Sequence, residues 1–201
     1  MQIIGTTSSP YTRKLRVLAI ERGLAHEFVV ASPMTESAAV QAVNPLGKVP
    51  VLVRADGSAL VDSPLIAEYL DSLGDAPRLI PADPAKREAV RQLEAIADGV
   101  LDAALLVRME SLRPEAQRSA EWLSWQDGKI RRGLAAFDAR LTGRSWAVGD
   151  AMTLADIALA CCLAWLEFRF DEFHWRGRYA HAGRVLEVLE DREAFRQTPH
   201  A

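Results

Sequence analysis

The stretch from Gln2 to Val30, QIIGTTSSPYTRKLRVLAIERGLAHEFVV, decides the fold of the first part of the chain. Its two ends, Gln2 to Gly5 and Glu27 to Val30, are short apolar runs that predict β-strands. The segment between them, from Pro10 to Gly23, has a helical pattern that ends in glycine. A strand, a helix and a second strand in this order predict a βαβ unit.

The next segment predicts a hairpin and a helix. Val49 to Val53 and Ser58 to Val61 flank the dipeptide Asp56-Gly57, which suits the positive φ angles of a tight turn,. A helix is expected from Pro64 to about Leu73, because its apolar residues recur at helical spacing. The first part of the chain is therefore an α/β domain of the order βαβ then ββα.

The pattern of the sequence changes at the end of this domain. Residues 77–84 contain three prolines and little periodicity, which is typical of a linker,. Long helical patterns follow, from Ala85 to Leu112 and from Pro114 to Leu141. We expect an α/β domain over residues 1–76, a linker over 77–84 and an all-α domain over 85–201.

The composition of the 201 residues excludes several classes of protein. Hydrophobic residues make up 49% and charged residues 25%, as in ordinary folded proteins,. The net charge is −3 and the basic residues are scattered, which argues against nucleic acid or an anionic membrane as a partner,. The start lacks the pattern of a secretory signal, so a cytoplasmic location is expected. The four histidines show no ligand spacing, and no metal is predicted,.

Ser9-Pro10 lies between the first strand and the first helix. Serine suits the N-cap position and proline the first helical position, so capping alone explains the pair. However, a helix N-terminus at the end of a strand gathers N–H groups and positive dipole, which favour an anion such as a thiolate. Both interpretations stay open at this point.

Two further segments allow a structural or a ligand-binding interpretation. Val49-Pro50 is an X-Pro bond at the start of a strand and is predicted to be cis, which would leave the Val49 amide and carbonyl free for a peptide-like ligand. Asp62-Ser63 begins the second helix, where Ser63 is a candidate cap. The Asp62 carboxylate would also suit an ammonium group, and the Ser63 hydroxyl and N–H a carboxylate. Together they fit the head group of an α-amino acid.

These segments resemble those of the glutathione S-transferase superfamily. The run SPYTRKLRV from Ser9 is similar to the Ser-Pro-Phe or Cys-Pro-Phe stretch of tau-like and omega-like members. NPLGKVPVL from Asn44 resembles the family's Asn-Pro-x-Gly-x-Val-Pro segment, and DSPLIAEYL from Asp62 resembles its Glu-Ser-x-x-Ile-x-x-Tyr-Leu. GDAMTLAD from Gly149 resembles the motif of the second domain, in which Asp156 completes a structural capping box. The resemblance covers nearly the whole chain.

The resemblance implies a thioredoxin-like first domain and glutathione as co-substrate. It assigns Ser9 to the catalytic position, Val49 with Pro50 to the cysteinyl part of glutathione, and Asp62 with Ser63 to the γ-glutamyl end. A homodimer is also implied. Asp62 replaces the commoner glutamate and reaches less far, which bears on affinity. Gln41 is the one obvious candidate for the glycyl carboxylate, and that role stays unassigned.

The second substrate is expected on the helical domain. Candidates for an electrophile pocket are Tyr11, Arg108, Met109, Trp165 and Phe168. Core packing is the competing interpretation for the late aromatic patch, and a solvated helix charge for Arg108. The patch comprises Trp165, Phe168, Phe170, Phe173 and Trp175.

Three functions are compatible with this sequence. The leading one is a transferase that stabilises glutathione thiolate and passes it to an electrophile. The second is a glutathione-dependent disulfide reductase or isomerase, because the same thiolate attacks sulfur or adds to a double bond. The third is a non-catalytic interaction protein of the same fold, against which the intact set of Ser9, Val49-Pro50 and Asp62-Ser63 argues.

Overall fold

A computed structural model describes residues 1–170 and 175–201. The chain forms two compact units. The first comprises Met1–Ala82 together with Glu190–Ala201, and the second comprises Asp83–Leu189. Each unit has its own buried core and is described separately.

The first unit is built on a four-stranded mixed sheet with the strand order β2-β1-β3-β4. β1 and β2 are parallel, whereas β3 runs antiparallel to both β1 and β4. This arrangement confirms the thioredoxin-like βαβ-ββα order expected from the sequence. The strands are β1 (Gln2–Gly5), β2 (Glu27–Val30), β3 (Val51–Val53) and β4 (Ala59–Leu60).

Four helices belong wholly to this unit: α1 (Pro10–Glu21), α2 (Ser37–Val43), α3 (Ser63–Ser72) and the short α8 (Glu193–Arg196). α1 and α3 pack against each other and against the sheet. The sequence analysis predicted no helix over α2. That helix is short and has no side-chain cap, so its local pattern is weak. The core of the first unit consists of side chains that are inaccessible to solvent and include Ile3, Leu15, Leu18, Leu52, Ile66 and Leu70.

A buried arginine ties the end of α1 to the chain after α3. Arg22, which is 3% exposed, donates to the carbonyls of Leu73 and Ala76 and lies 3.6 Å from the Asp71 carboxylate. Asp71 in turn accepts the N–H groups of Leu79 and Ile80 at 2.7 and 3.1 Å. These bonds satisfy backbone groups that burial would otherwise leave unpaired. The first half of the predicted linker is therefore held against the first unit.

The second unit is all-helical, as expected. Its long helices are α4 (Pro84–Ser111), α5 (Ala120–Arg140) and α6 (Leu154–Arg169), followed by α7 (Ala180–Glu190). The sequence analysis extended this domain to residue 201, whereas residues 190–201 pack with the first unit. The reason is that α8 lies against α1. No helix of the described residues is both long and apolar enough to cross a membrane.

α6 is the central helix of the second unit. Its residues from Leu154 to Leu166 are all buried, including the two cysteines. The Asp156 carboxylate accepts hydrogen bonds from the Ala147 amide and from the amide and hydroxyl of Thr153, each at 2.8 Å. Burial raises the pKa of Asp156, and the hydrogen bonds oppose that increase,. The structural role predicted for this aspartate is confirmed.

α4 and α5 approach closely at Gly133. A Cβ atom at this position would lie 2.3 Å from Cγ2 of Val100, which is closer than non-bonded carbon atoms approach,. Gly99 also lies inside a long helix, α4, but nothing lies within 4 Å of the corresponding Cβ position. The two glycines therefore differ in packing while sharing a helical backbone.

We expect alanine to have opposite effects at these two sites. Gly99→Ala should stabilise the protein by about 0.5–1 kcal/mol, because glycine is entropically unfavourable in a helix. Gly133→Ala gains the same term, but overpacking against Val100 costs about 1–3 kcal/mol, so net destabilisation is expected. Urea unfolding of both variants measures the difference. Equal stability of the two variants would contradict the close packing.

Candidate functional site

The sheet topology brings the three predicted ligand segments to one edge. β1 and β4 are both antiparallel to β3, so their carboxyl ends lie beside the start of β3. Ile4 of β1 pairs with Val51, and Leu60 of β4 pairs with Leu52. The residues beyond these pairs are Ser9 after β1, Val49-Pro50 before β3 and Asp62-Ser63 after β4. All three segments therefore meet at the same edge.

Ser9 is the N-cap of α1, as the sequence predicted. Its Oγ accepts the Thr12 N–H at 3.2 Å, and its own N–H donates to the Thr6 carbonyl at 3.2 Å. A hydroxyl has one donor and two acceptor positions, of which this cap uses one acceptor. The half-buried Ser9 side chain therefore still has a proton to donate to an anion. Capping and anion binding are compatible at this residue.

The start of α1 is held close to β1 by a glycine. A Cβ at Gly5 would lie 2.3 Å from Oγ1 and 2.5 Å from Cγ2 of Thr12, which is fully buried. Only the absence of a side chain at Gly5 allows this approach. The contact places the first turn of α1, and with it Ser9, directly beyond the end of β1.

The Val49-Pro50 peptide is cis, as predicted. In the part of the chain that the structure describes, neither the amide nor the carbonyl of Val49 has a hydrogen-bond partner. Both groups are therefore available to an extended ligand.

The buried Asn44 holds the loop before the cis peptide, a role that the sequence analysis did not identify. Its side-chain amide donates to the Lys48 carbonyl at 2.8 Å, and its Oδ1 accepts the Leu46 N–H at 3.0 Å. The available signal was the turn chemistry of Asn-Pro-x-Gly, in which asparagine bonds to backbone two residues on.

Asp62, rather than Ser63, caps α3, which corrects the sequence prediction. The Asp62 carboxylate accepts the Ser63 N–H, while Ser63 is already the first helical residue and is 1% exposed. The Val61-Asp62 peptide is a second cis bond, which the sequence did not indicate. Asp62 itself is exposed at the edge of the sheet. Its second carboxylate oxygen can accept a hydrogen bond from a cation.

The predicted electrophile-pocket residues are distributed over both units. Tyr11 is half-buried on α1. In the second unit, Met109 and Phe168 are 51% and 38% exposed near the ends of α4 and α6. The pKa of Arg169 is lowered, first by burial of its side chain and then by the positive charge of Arg108.

Trp165 belongs to the core of the second unit. Its side chain is 2% exposed, and its ring meets Phe170 edge-on with centroids 6.0 Å apart. The burial of this ring and its contact with Phe170 support the core-packing interpretation,. Trp175 is equally buried, and Phe173 lies outside the described residues.

No metal site is evident in the chain as described. Residues 1–170 and 175–201 contain no cluster of three or more histidine, cysteine, aspartate or glutamate side chains that could hold an ion. Cys162 is fully buried, and burial raises the pKa of its thiol well above the usual value,. His174 lies outside the described residues.

Comparison with known proteins identifies the family of both units. Residues 8–73 match the model of the N-terminal domain of glutathione S-transferases, and residues 84–188 match that of the C-terminal domain. The chain belongs to the glutathione S-transferase family. The boundary between the two units, after Ala82, falls between the two matched ranges.

Three proteins illustrate what this member of the family is similar to. The uncharacterized GST-like protein YibF of Escherichia coli K12 is 39% identical over 198 residues, which is 98% of each chain. Maleylacetoacetate isomerase of Rattus norvegicus is 30% identical over 186 residues, covering 88% of this chain and 83% of that protein. A glutathione S-transferase from Methylobacillus flagellatus, solved with glutathione bound, superimposes with a TM-score of 0.96 at 38% identity, covering 100% and 99% of the two chains.

The contact between Gly5 and Thr12 provides a test of how the site is assembled. Gly5→Ala should destabilise the protein by about 1–3 kcal/mol, because the new methyl group collides with the Thr12 side chain. In a Thr12→Ala background the colliding atoms are absent, so Gly5→Ala should cost less by about 0.5–3 kcal/mol. Urea unfolding of the four proteins of this cycle measures the coupling. Additive effects would show that the two residues do not constrain each other.

Proposed function

We propose that this protein is a glutathione transferase that stabilises the thiolate of glutathione at Ser9 and passes it to a small electrophile. One observation carries the proposal. The Ser9 hydroxyl, the unpaired backbone of Val49 and the exposed Asp62 carboxylate meet at one sheet edge. The solved relative that contains glutathione supports the choice of ligand.

The three groups match three parts of glutathione. The Asp62 carboxylate would accept the γ-glutamyl ammonium, and the Ser63 hydroxyl at the start of α3 would donate to the γ-glutamyl carboxylate. The cysteinyl backbone would pair with the amide and carbonyl of Val49, which Pro50 presents at the start of β3. A ligand bound in this way would direct its cysteinyl sulfur toward the N-terminus of α1.

The charge of Asp62 can be separated from its capping role. Asparagine caps a helix as well as aspartate does, so Asp62→Asn should leave stability nearly unchanged. Loss of the charge should weaken glutathione binding about five- to thirtyfold, since hydrogen bonds to charged groups are worth roughly 1–2 kcal/mol more than neutral ones. Titration calorimetry measures the Kd. An unchanged Kd would contradict the assigned role.

The proposed chemistry requires a lower thiol pKa. A free thiol has a pKa of about 8.5, so only a few per cent is ionised at neutral pH. The Ser9 hydroxyl would donate to the sulfur anion, and the N-terminus of α1 adds positive potential. The thiolate then attacks the electrophile, a sulfur–carbon bond forms, and either a leaving group departs with its electron pair or the addition product takes up a proton.

The electrophile would be held by the helical unit. Arg108, Met109 and Phe168 remain the candidates there, and Tyr11 is a separate candidate on α1. As the family resemblance implies, we expect a homodimer that acts in the cytoplasm, with detoxification of electrophiles as its role. Gel filtration with light scattering measures the oligomeric state directly.

Ser9 can be tested against a matched cap in the same chain. Ser119 caps α5 by accepting the Trp122 N–H at 3.2 Å, the same geometry as at Ser9. Ser9→Ala and Ser119→Ala should each cost about 1 kcal/mol of stability. Ser9→Ala alone should raise the pKa of bound glutathione by about one to two and reduce conjugation at neutral pH about ten- to a hundredfold.

The ultraviolet absorbance of the thiolate, recorded as a function of pH, measures this pKa without knowledge of the electrophile. Conjugation can be followed with 1-chloro-2,4-dinitrobenzene as a general probe. If Ser9→Ala and Ser119→Ala both leave the thiol pKa where it is in the parent, Ser9 is a cap only and the activating group lies elsewhere.

A second candidate function is isomerisation of a double bond. The similarity to maleylacetoacetate isomerase favours it specifically. The same thiolate would add to a cis double bond, allow rotation about the resulting single bond, and leave again. An assay panel of aromatic halides, cis-enones and mixed disulfides with glutathione separates transferase, isomerase and reductase. An absence of glutathione binding would favour a non-catalytic interaction protein.

A further inference from the structure

Residues 190–201 form a strap along α1, and we use that name for them. The strap belongs to the first unit although it follows the whole helical unit in the chain. At one end Arg192 makes a bidentate ion pair with Glu21 near the end of α1, with N···O distances of 2.7 and 2.6 Å. The pair matches the planar geometry that arginine and carboxylate favour.

The middle of the strap lies over two arginines of α1. The Arg13 guanidinium lies 5.0 Å from the centroid of the Phe195 ring and donates to the Phe195 carbonyl at 3.5 Å. Arg16 donates to the Gln197 carbonyl at 3.4 Å. Phe195 is 2% exposed and Arg13 is 8% exposed. The strap is therefore packed against α1 over most of the length of that helix.

The other end of the strap reaches the turn before Ser9. The Thr7 hydroxyl donates to the Ala201 carbonyl at 2.9 Å, and Nδ1 of His200 lies 3.4 Å from the Thr7 carbonyl oxygen. Thr7 lies inside a turn that closes when the Ser9 N–H donates to the Thr6 carbonyl at 3.2 Å. The hydroxyl and the carbonyl of Thr7 therefore both have partners in the strap. Thr7 precedes the proposed catalytic serine by two residues.

We propose that the strap positions Ser9 through Thr7, so that Thr7 and His200 are positioning residues for the thiolate. The inference rests on the proposed function. The peptide planes of a turn are coupled, so fixing the carbonyl and side chain of Thr7 fixes the direction in which Ser9 leaves the turn. A hydrogen bond to an anion weakens steeply when its angle departs from linearity. A loosened turn would therefore bind glutathione but stabilise its thiolate less well.

The test compares two substitutions at Thr7, each of which changes one group of the threonine side chain. Thr7→Val keeps the shape and removes the hydroxyl, whereas Thr7→Ser keeps the hydroxyl. Thr7→Val should raise the pKa of bound glutathione by about 0.5 to 1 and reduce kcat about three- to tenfold at neutral pH, with the Kd for glutathione unchanged. Thr7→Ser should retain the parent pKa. His200→Leu, which acts from the strap side, should shift the pKa in the same direction as Thr7→Val.

Arg196→Gln serves as the matched control within the strap. Arg196 pairs with Glu193 of the strap itself at 2.9 Å, so its loss should leave the thiol pKa unchanged. A parent-like pKa in both Thr7→Val and His200→Leu, with glutathione bound normally, overturns the strap proposal and leaves the proposed function intact. A parent protein that does not bind glutathione overturns both.

Discussion

The antiparallel pairing of β3 with both of its neighbours is the constraint on which the site depends. Because β1 and β4 are each antiparallel to β3, they run in the same direction and end at the same edge of the sheet. The segments that follow these strands, and the one that precedes β3, must meet at that edge. Three sequence segments, each of which is weak evidence for a ligand site when taken alone, therefore lie together at one edge of the sheet.

Capping and ligand binding are not alternatives at this edge. Ser9 and Asp62 each cap a helix, and each keeps hydrogen-bonding capacity that the cap does not use: the hydroxyl proton of Ser9 and the second carboxylate oxygen of Asp62,. Ser119 caps α5 in the same way. What distinguishes Ser9 is the surroundings of the cap, since the free backbone of Val49 lies at the same sheet edge. A cap motif alone is therefore a poor indicator of function, and the proposal for Ser9 rests on its position beside the other two segments.

Packing details explain why particular residues occur where they do. Gly5 is required because Thr12 approaches the end of β1 more closely than any side chain would permit. Asn44 holds the loop that presents the cis peptide. Arg22 and Asp71 secure the chain after α3 by bonding to backbone groups. Gly5 and Asn44 hold segments of the proposed site in place, whereas Arg22 and Asp71 join the C-terminal ends of α1 and α3.

The sequence alone determined the βαβ-ββα order of the first unit apart from α2, the all-helical nature of the second unit, the cap at Ser9, the cis peptide at Val49-Pro50 and the structural role of Asp156. These features depend on neighbours within a few residues, so their patterns are visible in the chain. The tertiary structure alone decided that the strap returns to α1, that Trp165 lies in the core and that α3 is capped by Asp62. The strap joins residues more than 170 positions apart. Such pairings leave no periodic signal, because they depend on which surfaces remain uncovered once the local elements have packed.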